Sequence, residues 1–237
     1  MLSHPILSAL RDRFTRLEIV PLLGFLLPAF LIYATIEMMD EVSEGEADPI
    51  DRAILATMRE PGAPHEPIGP EWFIIAMKDI TSLGSTTVLT LIVLSAAGYL
   101  LISRRYRLAG IFAASMIAGT LFNALLKNIF ERARPEFVAA GVPIDSFSFP
   151  SGHAMLSAIT YLTLGALLAR SDRQKAHKGY IVGLAIVITL LIGSSRLYLG
   201  VHYPTDVLAG WSIGALWALG TWWIARRLAP SRTGDVA

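Results

Sequence analysis

The sequence predicts an all-α fold: a bundle of six transmembrane helices with a short amphipathic helical segment on its outer side. Three observations predict it. Of the 237 residues, 54% are hydrophobic and 16% are charged, against about 25% charged in an ordinary soluble domain. Six apolar runs approach the about 20 helical residues needed to cross roughly 30 Å of hydrocarbon. Basic residues concentrate on alternate connections between those runs, as a fixed membrane orientation requires. The length suits a single domain over 1–237 rather than two. A net charge of +1 and the lack of any basic run argue against a nucleic-acid partner. With no cysteine, disulfides and thiolate metal sites are excluded.

The runs follow in order. Residues 1–18 form a short N-terminal segment carrying Arg11, Arg13 and Arg16. The first run, 19–36, has no small-residue cleavage site and reads as a retained anchor, not a signal peptide. The second, 80–103, has a spanning part that starts near Gly84. The others are 108–126, the short 154–169, then 179–195 and 207–225. No internal repeat is visible, which weighs against a transporter built from inverted halves.

Between the first two runs, residues 37–79 form a cap segment. It opens with acidic side chains from Glu37 to Glu46. Ile50, Ile54, Leu55 and Met58 then recur at helical spacing, which predicts a short amphipathic helix in the interface within 49–60. The proline-rich 61–70 is expected to be a turn region, with His65 a loop residue. Trp72 and Phe73 are expected interfacial anchors. The segment reads as a structural cap over the helices; the alternative is a lateral gate for a lipid. The motif-bearing core is 80–227.

Six spans place both termini on one side. The connections on that side hold 13 Lys and Arg residues and those on the other side hold 7, so the termini are predicted to be cytoplasmic. Spans three to six then present three polar stretches at their outer ends. Charged groups at membrane depth cost several kcal/mol unless paired or solvated, so such groups suggest function.

Ser151 stands where an N-cap would open the fourth span, in Pro150-Ser151-Gly152-His153. A helix start offers backbone N–H groups and partial positive charge to an anion. Gly152 has no side chain to obstruct a phosphate oxygen, and His153 lies in the first turn. Lys127 ends the third span. Arg134 precedes Pro135, which disfavours helix and turns the chain back toward the bundle. Arginine supplies a planar fork and lysine a point charge for phosphate. Arg132 is read as an ordinary basic residue snorkelling to the interface. In the last stretch, Ser195-Arg196 is followed by His202 and, four residues on, Asp206. A carboxylate so placed can accept from one ring nitrogen and leave a lone pair on the other. The imidazole itself is then the nucleophile. A metal held by His202, Asp206 and His153 is the rival, against which three nearby cations weigh.

These motifs, Lys127-x6-Arg134-Pro135, Pro150-Ser151-Gly152-His153 and Ser195-Arg196-x5-His202-x3-Asp206, resemble the three-part signature of the type 2 phosphatidic acid phosphatase superfamily. All three are present in order. The resemblance implies a six-helix integral membrane phosphatase acting on lipid phosphates without a metal or other cofactor. It implies His202 as nucleophile, Asp206 as its partner and His153 as acid and base. Lys127, Arg134, Ser151, Gly152 and Arg196 would bind phosphate. It also implies a bacterial inner-membrane protein whose site faces the periplasm. Its substrate would be undecaprenyl pyrophosphate, phosphatidylglycerol phosphate, phosphatidic acid or a lipid A phosphate. A lipid phosphotransferase would use the same residues, and a transporter is the alternative from another class. Partners beyond the lipid substrate and the bilayer, and the oligomeric state, are not encoded in these motifs.

Overall fold

The computed structural model describes residues 19–142, 146–171 and 174–229, excluding the side chains of 19–23 and Ser171. The expected cytoplasmic N-terminal segment, 1–18, lies outside the described residues.

Helix α1 (Ile19–Glu44) outlasts its apolar run by eight residues. Glu37, Met38, Met39, Asp40 and Glu41 all tolerate helix, so the rod continues past its apolar part until Gly45 takes φ +76°. The expected amphipathic helix is α2 (Asp48–Ala56), with Pro49 near its start and Asp48 and Asp51 in its first turn. The proline-rich stretch is not merely a turn: β1 (Arg59–Glu60) and β2 (Ala63–Pro67) form an antiparallel hairpin. Gly62 at φ +83° makes its bend, which the alternating prolines obscure in the sequence. Next come α3 (Glu71–Ser82) and α4 (Thr86–Ile102), meeting at 45°. The predicted start of a span near Gly84 falls at this break, and Ser85 Oγ caps α4 by accepting from Val88 N.

Helix α5 is Tyr106–Phe130, and Glu131 in the left-handed region ends it. The next rod joins α6 (Gly152–Ser157), a π-helical turn (Ala158–Leu162) and α7 (Thr163–Ser171). It is followed by α8 (Lys175–Tyr198) and α9 (Pro204–Leu228). Among the described residues, four helical rods are long and apolar enough to cross a membrane: Tyr106–Phe130, Gly152–Arg170, Lys175–Tyr198 and Pro204–Leu228. The bent pair α3–α4 makes a fifth by the same measure. Large apolar side chains point outward along these rods, Ile102, Leu121 and Tyr180 among them, as lipid-facing positions should.

The core joins α5, α6 with its π-helical turn, and α9 through Phe112, Met116, Leu126, Met155, Ile159 and Ile213. In lipid, helices associate through close packing more than through water exclusion, so small residues line the contacts. Gly210 and Gly214, one turn apart on α9, lie against α6. A Cβ at Gly210 would sit 2.9 Å from Ser151 O, and one at Gly214 2.5 Å from Ala158 Cβ and 2.7 Å from Met155 O. This small-xxx-small step is readable in the sequence. It brings the helix bearing Asp206 against the helix opened by Ser151.

Candidate active site

The segments carrying Lys127, Arg134, Ser151, Gly152, His153, Arg196, His202 and Asp206 converge at one end of the bundle. His153 lies within electrostatic reach of Lys127, Arg134, Arg196 and His202, although these residues come from four separate segments. Local chain geometry explains each approach. Helix α5 stops after Lys127 has emerged from its last turn, and extended backbone past Glu131 returns Arg134 to the bundle. Ser151 is the N-cap of α6, its Oγ accepting from Ala154 N at 3.4 Å. Ser151 N donates to Asp206 O at 3.0 Å, tying that cap to α9. Gly152 leaves room for Asn123, whose Oδ1 would lie 3.2 Å from an added Cβ. Gly84, at the α3–α4 break, similarly leaves room for the His153 ring, whose Cδ2 would be 3.2 Å away.

The turn from α8 to α9 places Arg196, His202 and Asp206 together. Gly200 at φ +70° ends α8, and no Cβ fits there because Phe137 O would be 2.1 Å away. Tyr203 is extended and Pro204 begins α9. His202 is buried, with Nδ1 3.3 Å from Asp206 Oδ2. On the other side of the ring, Arg134 Nη1 stands 3.3 Å from Nε2. A guanidinium can only donate, so Nε2 holds a lone pair and the proton of the neutral ring sits on Nδ1, facing the carboxylate. Burial pushes the His202 pKa down to about 3, outweighing the favourable Asp206 carboxylate. The ring is therefore neutral at physiological pH, as a nucleophile must be.

The cations are held by oxygen atoms. Arg134 Nε donates to Ser146 O at 2.7 Å and Nη1 to Val201 O at 2.9 Å. Arg196 Nη1 donates to Thr81 Oγ1 at 3.0 Å, linking α8 to the end of α3. Lys127 Nζ donates to Phe147 O. Such preset donors match a tetrahedral oxyanion at little cost in reorganisation.

Arg132 corrects the sequence reading. It does not snorkel to the interface; it is buried at the hub of an ionic network. Its Nη1 donates to Asp206 Oδ1 at 2.8 Å and Thr205 Oγ1 at 2.7 Å. Nη2 donates to Asp48 at 2.6 Å and to Asp51 at 2.8 Å. The guanidinium also lies 4.2 Å above the Tyr203 ring. Burial lowers its pKa, but the three carboxylates more than offset that and raise it above the ordinary value. Snorkelling fails here because α5 ends first, and the chain carries Arg132 against α2 rather than outward.

Three further residues, Ser148, Asp48 and Asp51, escaped the sequence reading. Ser148 donates its hydroxyl to Asp206 Oδ2 and lies 3.4 Å from His202 Nδ1. Asp51, from α2, accepts from Thr205 N at 3.1 Å as well as from Arg132. Asp206 also accepts from Tyr203 N at 2.8 Å. Only the position of Asp48 and Asp51 in a first helical turn hinted at an electrostatic role; nothing in the spacing joined them to residues 81 to 154 positions away.

The family model described as the PAP2 superfamily matches residues 108–229. The chain is 40% identical over 149 residues to phosphatidylglycerophosphatase B of Bacillus subtilis, covering 61% of this chain and 71% of that protein. It is 32% identical over 123 residues to an undecaprenyl-diphosphatase of Sulfolobus acidocaldarius, covering 49% and 55% respectively. Among solved structures, it superposes on a transmembrane PAP2-type phosphatidylglycerolphosphate phosphatase from Bacillus subtilis with a TM-score of 0.77. That match has 29% identity and covers 86% of this chain and 98% of that one.

Proposed function

This chain belongs to the PAP2 superfamily and is a multi-pass membrane phosphatase of lipid phosphates; on that premise we propose that it transfers the phosphoryl group to His202 and then to water. The carrying observation is the His202 ring, buried and neutral, with Nδ1 directed at Asp206 and Nε2 at the Arg134 fork. Nε2 attacks phosphorus in line, the bond to the leaving oxygen breaks, and His153 supplies that oxygen's proton. Positive charge forming on the imidazole is balanced by Asp206 through Nδ1–H. In the second half, His153 takes a proton from water, which attacks the phosphohistidine and releases phosphate. One residue serves both steps because acid and base exchange between them. Lys127, Arg134 and Arg196, with the backbone N–H groups of the Ser151–Gly152 helix start, hold the phosphate oxygens.

Six spans account for the fold: α1, the bent α3–α4, α5, the α6–α7 rod, α8 and α9. The single domain includes 37–79 as a cap, supported by the bonds that Asp48 and Asp51 make to Arg132. The excess of basic residues on the side of the termini supports a cytoplasmic location for them, in a bacterial inner membrane, with the site facing the periplasm. Substrates are lipid mono- or diphosphates: undecaprenyl pyrophosphate, phosphatidylglycerol phosphate and phosphatidic acid. Purified protein should release inorganic phosphate from members of that panel in detergent with no acceptor lipid present. Phosphate appearing only when a second lipid is added would instead make it a phosphotransferase.

A further inference from the structure

A groove of about 1310 Å³ runs between α1, α7, α8 and α9. Most of its wall is apolar, including Leu27 and Phe30 of α1 and Leu208 and Trp211 of α9. One end is different. Arg170, Lys178 and Arg226 line it beside Trp222, and no Asp or Glu is among the described residues of its lining. Arg170 donates to Ala225 O and Ala229 O at 3.0 and 2.6 Å, which joins the ends of α7 and α9. Arg226 lies 5.5 Å over the Trp222 ring, so its cation is held at the groove's rim. This end of the bundle is opposite the one where α6 and α9 begin and where His153, His202 and Asp206 meet.

Length and charge together define what fits. From Leu208 to Arg226 the wall follows one helix, whose rise of about 1.5 Å per residue gives a slot of about 27 Å. One leaflet of hydrocarbon is about 15 Å deep, half of the roughly 30 Å core, so an acyl chain entering beside Arg226 fits within the slot. Aromatic and basic side chains at one end mark the head-group level. Basic pockets between spanning helices favour anionic heads.

We propose that this groove binds an anionic diacyl phospholipid from the leaflet opposite the candidate active site. Its phosphate lies between Lys178 and Arg226, and one acyl chain follows α9 between α1 and α8. The site is separate from the substrate site. It depends on the membrane reading of the chain, not on the chemistry at His202.

The test uses purified full-length protein with vanadate present to occupy the phosphate site. Native mass spectrometry and thermal unfolding are followed while phosphatidylglycerol or phosphatidylcholine is added. The wild type should retain phosphatidylglycerol about tenfold more tightly, as expected for basic side chains at the head-group level. A Lys178→Gln/Arg226→Gln double variant should lose that preference yet still release phosphate from a soluble lipid analogue. Ala215→Trp, which fills the groove without changing charge, should reduce retention of both lipids and covers the case of a misfolded double variant. Equal retention of the two lipids by the wild type would overturn the proposal. So would a preference that survives Lys178→Gln/Arg226→Gln, or one abolished by vanadate, which would place the lipid at the catalytic end. Loss of phosphate release in His202→Ala with lipid retention intact would separate the two sites.

Discussion

Arg132 Nη1 and Asp206 Oδ1 are 2.8 Å apart, joining residues 74 positions distant in sequence and both buried. The same guanidinium holds Asp48 and Asp51 of α2. The carboxylate that faces His202 is thus linked through Arg132 to α2. Three negative charges share one buried cation. Such an arrangement is costly to break, because losing Arg132 strands the buried Asp51 and Asp206 in a medium of low dielectric.

Arg132→Gln should destabilise the protein by about 3–5 kcal/mol, the loss typical of a broken buried ion pair. Thermal unfolding in detergent measures this. Asp51→Asn, which preserves the Asp206 contact, should cost less and leave the KM for lipid phosphate nearly unchanged while lowering kcat. Equal damage to KM and kcat would make the network a scaffold with no influence on Asp206.

His202→Ala should abolish phosphate release in a folded protein, and Asp206→Asn should reduce kcat by about 10³- to 10⁴-fold through loss of the Nδ1–H tautomer. Acid-labile and base-labile phosphoprotein can be distinguished after rapid quench of the wild type with labelled substrate. A base-stable, acid-labile phosphoryl group on His202 is expected. Vanadate should inhibit, and chelators should not. Turnover close to wild type in His202→Ala removes the nucleophile assignment, and inactivation by EDTA restores the metal alternative.

The His202 pKa is pushed down to about 3 by burial, so the folded ring stays neutral where an unfolded histidine, at about 6.5, gains a proton. Between those values the unfolded state binds more protons. Stability should therefore fall as pH drops below about 6.5 toward 3. Nitrogen-15 NMR of labelled histidine should show His202 as one neutral tautomer from about pH 8 to about pH 5. A midpoint near the ordinary value would contradict the burial argument.

Gly214→Val should separate α9 from α6, because even the Cβ would sit 2.5 Å from Ala158 Cβ and 2.7 Å from the Met155 carbonyl. A loss of about 1–3 kcal/mol or more is expected from overpacking. Activity should fall with it, since His202 and Asp206 ride at the start of α9 while Ser151 and His153 ride at the start of α6. Paired replacement with Ala158→Gly should restore part of both; the absence of any rescue would show that the backbone contact at Met155 dominates.

Much of this was legible in the chain itself. Apolar runs of spanning length revealed the rods, because lipid demands both length and an uncharged surface from any helix that crosses it. The candidate site residues stood out as types at fixed spacing: His202 and Asp206 four positions apart, Arg134 before a proline, Ser151 where a cap belongs. Those relations are local, and local backbone geometry is what a residue pattern encodes. The hairpin at 59–67 was hidden because its prolines signal turns more strongly than strands.

The amino-acid order by itself determined a helical membrane chain and the chemistry available at its polar stretches. Only the folded arrangement decided that Arg132 is an internal cation, that Asp48 and Asp51 from α2 share it with Asp206, and that Ser148 completes the carboxylate's bonds. The reason is distance along the chain. A charge's environment is set by what packs against it, and here those partners arrive from segments whose spacing carries no periodic signal.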